Sequence, residues 1–254
     1  MRIVIKIGTS TLAHPTGHLN IRLTEQLCKI ISDIKNAGHE VILVSSGAIG
    51  MGVGKLGLLS RPKDIPTKQA AAAVGQCELM YTYDKLFGEY NHTVAQLLIT
   101  GADVDNPTRH SNFSNTLNRL LELGALPIIN ENDTVATEEI VIGDNDTLAA
   151  IVSKSVRAQL LVLLSDIDGL YTADPHKDPQ AKLISHISEM TPQIHALGGG
   201  STTTQGTGGM VTKLRAAEIC MDCGCDMVIT NGKRPEDLYA ILEGKPIGTL
   251  FSRR

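Results

Sequence analysis

The feature that most constrains this chain is a repeated alternation of short apolar runs with segments of helical period. Ile3 to Ile7, Val41 to Val44, Val94 to Ile99, Leu126 to Ile129, Leu160 to Leu164 and Met227 to Ile229 read as strands. Between them, Asn20 is placed to cap a helix whose Leu23, Leu27, Ile30, Ile31 and Ile34 recur at helical spacing, with Gly38 as its stop. Gln69 to Phe87 reads as another helix. Phe113, Leu117, Leu120 and Leu121 mark an amphipathic one ending near Gly124, and Val211, Leu214 and Met221 suggest a late one. Strands that are apolar on both sides need cover on both sides, and parallel neighbours need helical crossovers. The expectation is an α/β fold: a three-layer αβα sandwich with a mostly parallel central sheet.

A length of 254 residues corresponds to about 1.7 domains of typical size, so one large domain fits as well as two small ones. There is no internal repeat, low-complexity tract or linker. The most irregular stretch, GGGSTTTQGTGG from Gly198 to Gly209, runs straight into periodic structure and reads as a mobile active-site loop rather than a boundary. We therefore expect a single domain over 1–254, with an N-lobe of about 1–155 and a C-lobe of about 156–254.

Lys and Arg number 23 against 27 Asp and Glu, a formal net charge of −4, which gives no support to a general polyanion binder. Trp is absent and aromatic residues are 3%, so stacking platforms for nucleic-acid bases are not expected. No apolar run is longer than the five residues from Leu160 to Leu164, far short of the roughly 20 residues of a membrane span. Met1 and Arg2 lead into the first strand without a cleavage site, so a cytoplasmic protein without a membrane partner is expected. Five cysteines do not make a disulfide framework. Cys220, Cys223 and Cys225 lack the fourth ligand of a structural zinc site, and Pro15 and Gly17 prevent His14 and His18 from forming a helical metal pair.

Six polar segments sit at strand ends or helix starts, where ligands bind in doubly wound sheets. Lys6-Ile7-Gly8-Thr9-Ser10 offers a lysine and a glycine to an anion, or is a plain turn. Val44 to Gly50, VSSGAIG, opens a helix with small residues, whose N–H groups and dipole suit a carboxylate or phosphate. Ile129 to Val135, INENDTV, could fix the polar atoms of a small zwitterion or be an Asx-rich turn. In Gly143-Asp144-Asn145-Asp146-Thr147, Asp144 or Asn145 could cap a helix, or the carboxylates could organise lysines or a metal. Leu164 to Tyr171 follows the most apolar strand. Gly206 to Lys213 places a glycine loop, a helix start and a lysine one turn inside, a polyphosphate cradle. GVGKLG from Gly52 to Gly57 formally matches a dinucleotide fingerprint but begins about eight residues past its strand, which argues against a nicotinamide-dependent oxidoreductase.

Taken together and in order, KIGTS, VSSGAI, INENDTV, GDNDTLAA, LLSDIDGLYTADP, GTGGMVTK and the final GTLF resemble the amino acid kinase family over nearly the whole chain. INEND, GDND and GLYTADP resemble in particular its branch that acts on glutamate. The resemblance implies ATP-dependent phosphorylation of the side-chain carboxylate of L-glutamate, the first step towards proline, with Mg2+ riding on the phosphates and no protein metal ligand. Carried over motif by motif, Ser46, Gly47, Ala48, Asp133 and Asn145 would hold glutamate. Lys6 and Lys213 would neutralise the transferring phosphoryl group and Asp146 would hold the two lysines. Lys6, Gly8, Ser165, Asp166, Thr207, Gly208, Gly209, Met210, Val211, Thr212 and Lys213 would meet the nucleotide. Ser165 stands where Thr is familiar in the family and keeps the hydroxyl. Many members continue into a PUA domain, which is not expected here. The family further implies a homo-oligomer and feedback by proline. A non-catalytic amino-acid sensor on the same fold is the competing expectation, disfavoured by Lys6, Asp146 and Lys213.

Overall fold

The computed structural model describes residues 1–14, 16, 18–135, 144–175, 177–199 and 209–253. Its first half runs β1 (Arg2–Ile7), α1 (Thr9–Leu12), α2 (Ile21–Asn36), β2 (Glu40–Ser45), α3 (Ala48–Lys55), α4 (Ile65–Gly88), β3 (Val94–Ile99), α5 (Gly101–Asp105), α6 (Pro107–Glu122) and β4 (Leu126–Glu131). The second half adds α7 (Asn145–Ser155), β5 (Leu160–Ser165), β6 (His186–Ile187), α8 (Pro192–Ala196), α9 (Met210–Asp222), β7 (Asp226–Asn231), α10 (Asp237–Leu242) and β8 (Thr249–Phe251). The strands form one sheet in the order β3-β4-β2-β1-β5-β7-β8-β6, parallel throughout except between β7 and β8.

The local signals act where expected. Asn20 caps α2 through its side chain, which accepts from Leu23 N, and Gly38 leaves the helix at φ +92. α4 begins at Ile65, four residues before the apolar period becomes visible, because Asp64 accepts from Thr67 N and Pro66 sits in the first turn. Among the described residues no helix is long and apolar enough to cross a membrane.

Strand alternation divides the core in two. Val4, Ile42, Val44, Ile129, Leu161 and Leu163 pack with Leu117 of α6, Leu148 and Val152 of α7, and Leu214 and Ala217 of α9. Ile3, Ile5, Leu43, Ile128, Val162 and Leu164 pack on the other face with Ile31 of α2, Leu79, Tyr83 and Phe87 of α4, and Ile241 of α10. Helices thus cover both faces of the sheet. The same alternation aims the strand ends: Lys6 follows Val4 onto the face of α7 and α9, whereas Ser45 follows Leu43 onto the face of α4.

The chain leaves β1 towards β2, then returns across it to β5, so the strand order reverses beside β1. In register, Ile7 lies opposite Ser45 on one side and Leu164 on the other. A crevice outside the carboxyl ends of the strands at such a reversal is the usual ligand position.

Candidate active site

Asp146, in the first turn of α7, is 1% exposed and stands between two lysines from different elements. Its Oδ1 lies 2.6 Å from Lys6 Nζ, delivered by β1, and its Oδ2 accepts from Lys213 Nζ at 3.0 Å, delivered by the first turn of α9. Thr212 Oγ1 donates to the same Oδ2 at 3.1 Å. Burial by itself would raise this carboxyl, but the two ammonium groups outweigh burial and hold it down at about 2. Lys213 is 6% exposed. Two cations share one anion, so the trio has a formal charge of +1, an arrangement suited to an incoming anion.

On the other side of α7, Asn145 belongs to a chain of uncharged polar groups. Its Nδ2 lies 2.8 Å from Ser46 Oγ, 3.0 Å from Asn130 Oδ1 and 3.2 Å from Ser45 O. Asn130, at the end of β4, donates through its own Nδ2 to Gln76 Oε1 at 2.9 Å. Ser45 Oγ shares a hydrogen bond of 2.9 Å with Tyr83 OH, which is fully buried and whose pKa burial pushes up. Asp144 is the cap of α7, accepting from Thr147 N and Thr147 Oγ1, so Asn145 is free of that duty.

Ser46, Gly47 and Ala48 form the turn from β2 into α3. Gly47 caps the helix at φ +106, a left-handed conformation that a side chain would strain, and α3 starts from this turn with no side-chain cap on its first N–H groups. α3 is held by an unusually close approach of α4. A Cβ on Gly52 would fall 1.8 Å from Ala71 O, and one on Gly75 would fall 1.7 Å from Ala48 O. Gly52 therefore serves helix packing inside α3, which removes it from any dinucleotide fingerprint.

The remaining expected residues fall as follows. Asp133 is half-buried just beyond β4. Burial raises its carboxyl and the positive charge of Arg61 opposes that rise, while Asn130 joins the Asn145 group. Gly8 caps α1, and a Cβ there would lie 3.8 Å from Lys6 Nζ. Ser165 is buried at the end of β5 and donates to exposed Asp166 at 3.1 Å. Gly209 caps α9, Met210 is buried, Val211 is exposed, and the single hydroxyl proton of Thr212 is shared between Asp146 Oδ2 and Gly209 O, the latter at 2.8 Å. Thr207 and Gly208 lie outside the described residues, as do Gly143 and 200–208 of the glycine-rich stretch. Among the described residues no group of three or more His, Cys, Asp or Glu is placed to hold a metal ion. Asn130 lies in the INENDTV segment without a role of its own there, and Gln76 stands in none of the six segments. A signal for Gln76 existed: it shares the helical stripe of Leu79, Tyr83 and Phe87, all buried.

A family model described as the amino acid kinase family matches residues 1–231. A glutamate 5-kinase of Listeria monocytogenes serovar 1/2a is 53% identical over 257 aligned residues, which cover 100% of this chain and 93% of that protein. One from Clostridium perfringens is 51% identical over 254 aligned residues, covering 98% and 94%. A carbamate kinase from Giardia lamblia bound to AMP-PNP superposes with a TM-score of 0.68 at 19% identity, covering 100% of this chain and 98% of that one, a likeness of fold. The chain belongs to the amino acid kinase family, and the two curated relatives described above are glutamate 5-kinases.

Proposed function

We propose that this protein transfers the γ-phosphoryl group of ATP to the side-chain carboxylate of L-glutamate, giving L-glutamyl 5-phosphate and ADP, the first step towards proline. The observation that supports this most is the Lys6–Asp146–Lys213 trio, set next to the neutral Ser46–Asn145 group on a single helix start. A carboxylate is already a nucleophile, so its oxygen attacks phosphorus without a general base. The new O–P bond forms as the bond from phosphorus to the β,γ-bridging oxygen breaks, and the electron pair leaves with ADP. Catalysis is then alignment and stabilisation of charge on the transferring group. Lys6 and Lys213 take that charge and Asp146 keeps both ammonium groups pointed at it.

In this reading residues 1–155 form the glutamate lobe, with Ser46, Gly47, Ala48, Asp133 and Asn145 as ligands. Residues 156–254 form the nucleotide lobe, with Ser165, Asp166 and the 207–213 segment joined by Lys6 and Gly8. The carboxylate of Asp146 is already occupied by two ammonium groups and a hydroxyl, so it does not fit direct metal ligation. Mg2+ carried by ATP would supply further neutralisation of the phosphate charge, beside that given by Lys6 and Lys213. A cytoplasmic homo-oligomer regulated by proline completes the proposal, and this part rests on the family resemblance.

The deciding experiment is ADP release with glutamate, aspartate, N-acetylglutamate, carbamate and UMP as acceptors. Release with glutamate supports the reading, and release with another acceptor but none with glutamate rejects it.

A further inference from the structure

Gln76 lies in the alanine-rich middle of α4, far in sequence from every residue given a role above, yet it is only 8% exposed and its carboxamide ends in the substrate half of the site. The neighbouring Gly75 seats α4 on the first carbonyl of α3 and so brings Gln76 there.

The amide chain beyond it has a direction, fixed by a group that cannot turn over. The backbone N–H of Glu131 donates to Asn130 Oδ1 at 2.9 Å. Asn130 must then aim Nδ2 the other way, where Gln76 Oε1 accepts it at 2.9 Å. With Asn130 Oδ1 facing Asn145, Asn145 must present Nδ2, at 3.0 Å. The other proton of that Nδ2 goes to Ser46 Oγ at 2.8 Å, with Ser45 O more distant at 3.2 Å. A hydroxyl that accepts in this way keeps its own proton to donate elsewhere. Ser46 is only partly buried and stands at the opening of α3, where the helix start favours an anion.

We infer that Gln76 is a positioning residue that supports this amide chain in the sense that makes Ser46 a hydrogen-bond donor to a carboxylate of the amino-acid acceptor. The inference rests on the glutamate-kinase reading and deepens it. If Asn130 and Asn145 turned over, Asn145 would accept from Ser46, and the serine would turn lone pairs towards the incoming carboxylate. Glu131 N–H opposes that reversal at Asn130 Oδ1, and Gln76 Oε1 supports the observed sense by accepting the Asn130 Nδ2 proton that it directs away from Asn145. Among the described residues the buried Nε2 of Gln76 has no hydrogen-bond partner, so the oxygen is the atom through which Gln76 joins the chain.

This sets up two substitutions with different outcomes. Gln76→Met keeps the volume and removes the acceptor. Gln76→Glu keeps an oxygen for Asn130 and gives up only the unpartnered donor. Steady-state kinetics with glutamate and ATP varied in turn should show a rise of about tenfold in the KM for glutamate in Gln76→Met. The KM for ATP should stay within about twofold, because the nucleotide half is untouched. Gln76→Glu should restore a glutamate KM within about threefold of wild type, which a merely structural role for the side chain would not require. Protection of each variant from heat by ATP reports independently that the nucleotide half is folded, and Gln76→Leu replaces Gln76→Met if the latter does not fold. An unchanged glutamate KM in Gln76→Met, an equal rise in both KM values, or a Gln76→Glu variant as impaired as Gln76→Met overturns the positioning role. A wild type that releases no ADP with glutamate overturns the glutamate reading and this inference with it. A wild type active on glutamate with an indifferent Gln76→Met overturns the inference alone.

Discussion

Lys213 Nζ meets Asp146 Oδ2 at 3.0 Å across 67 residues of sequence, and both side chains are almost wholly buried. Such a contact is costly to break from one side, since the surviving charge stays in a poorly solvated place. Asp146→Asn leaves two ammonium groups without their shared anion and should lower stability at neutral pH by about 3 kcal/mol. The pH dependence follows from the depressed carboxyl. Asp146 titrates at about 2 in the folded chain against 3.8 in the ordinary state, so its contribution is complete above pH 3.8 and is lost as pH falls towards 2. Urea unfolding of wild type and variant at a series of pH values should show their difference shrinking across that window. A difference that stays constant down to pH 2 contradicts the assignment.

Lys213→Ala removes a charge whose proposed partner is the phosphoryl group in flight. Its effect should fall on kcat, by roughly 10²- to 10³-fold, by analogy with the loss of one preorganised donor. The KM for either substrate should change much less. Near-normal kcat in this variant would remove Lys213 from the transition state.

Asp133→Ala should raise the KM for glutamate and leave the KM for ATP nearly unchanged, because the proposed partner of this carboxylate is the substrate ammonium. Burial raises the pKa of Asp133, so it loses its charge at a higher pH than an ordinary aspartate. The wild-type KM for glutamate should therefore begin to rise on the acid side sooner than titration of free glutamate explains. Asp133→Asn should abolish that part of the profile. If the Asp133→Ala variant binds ATP weakly instead, the residue belongs to the other substrate.

Two glycines of α4 separate packing from helix propensity. Gly75→Ala drives a methyl group into Ala48 O, a backbone atom 1.7 Å from the ideal Cβ position, and should destabilise by about 3 kcal/mol. Gly88→Ala meets nothing within 4 Å and should stabilise by about 0.5 kcal/mol through helix propensity alone. Thermal unfolding of the two single variants gives both signs in one experiment.

How much of this was legible beforehand depends on how local each cause is. The six long strands were visible because Val, Ile and Leu fill both of their faces, and α2 was visible because Asn20 and Gly38 bracket one apolar stripe. β6 and β8, of two and three residues, are held by pairing with distant partners rather than by a pattern of their own. α4 was read from Gln69 because the Asp64–Pro66 start is a matter of capping, not of hydrophobic period. At the site, Lys6, Asp146 and Lys213 were readable as motifs, and the fold brings them into contact. Asn130 was visible only as one amide of INENDTV, and Gln76 was not visible as a site residue at all, because its value is relational. An amide on an alanine-rich helix means little until the end of β4 is known to lie against it.

Asn145 and Asp146 are neighbours on the first turn of one helix, the former turned to β2 and β4, the latter to β1 and α9. In the proposed reaction this makes α7 a gauge block between two reactants. The separation of acceptor and donor is set by a single peptide unit, about 3.8 Å from Cα to Cα, and no hinge intervenes. Any shift of α7 therefore miscalibrates both halves together, so neither substrate site can be retuned along this helix without resetting the other.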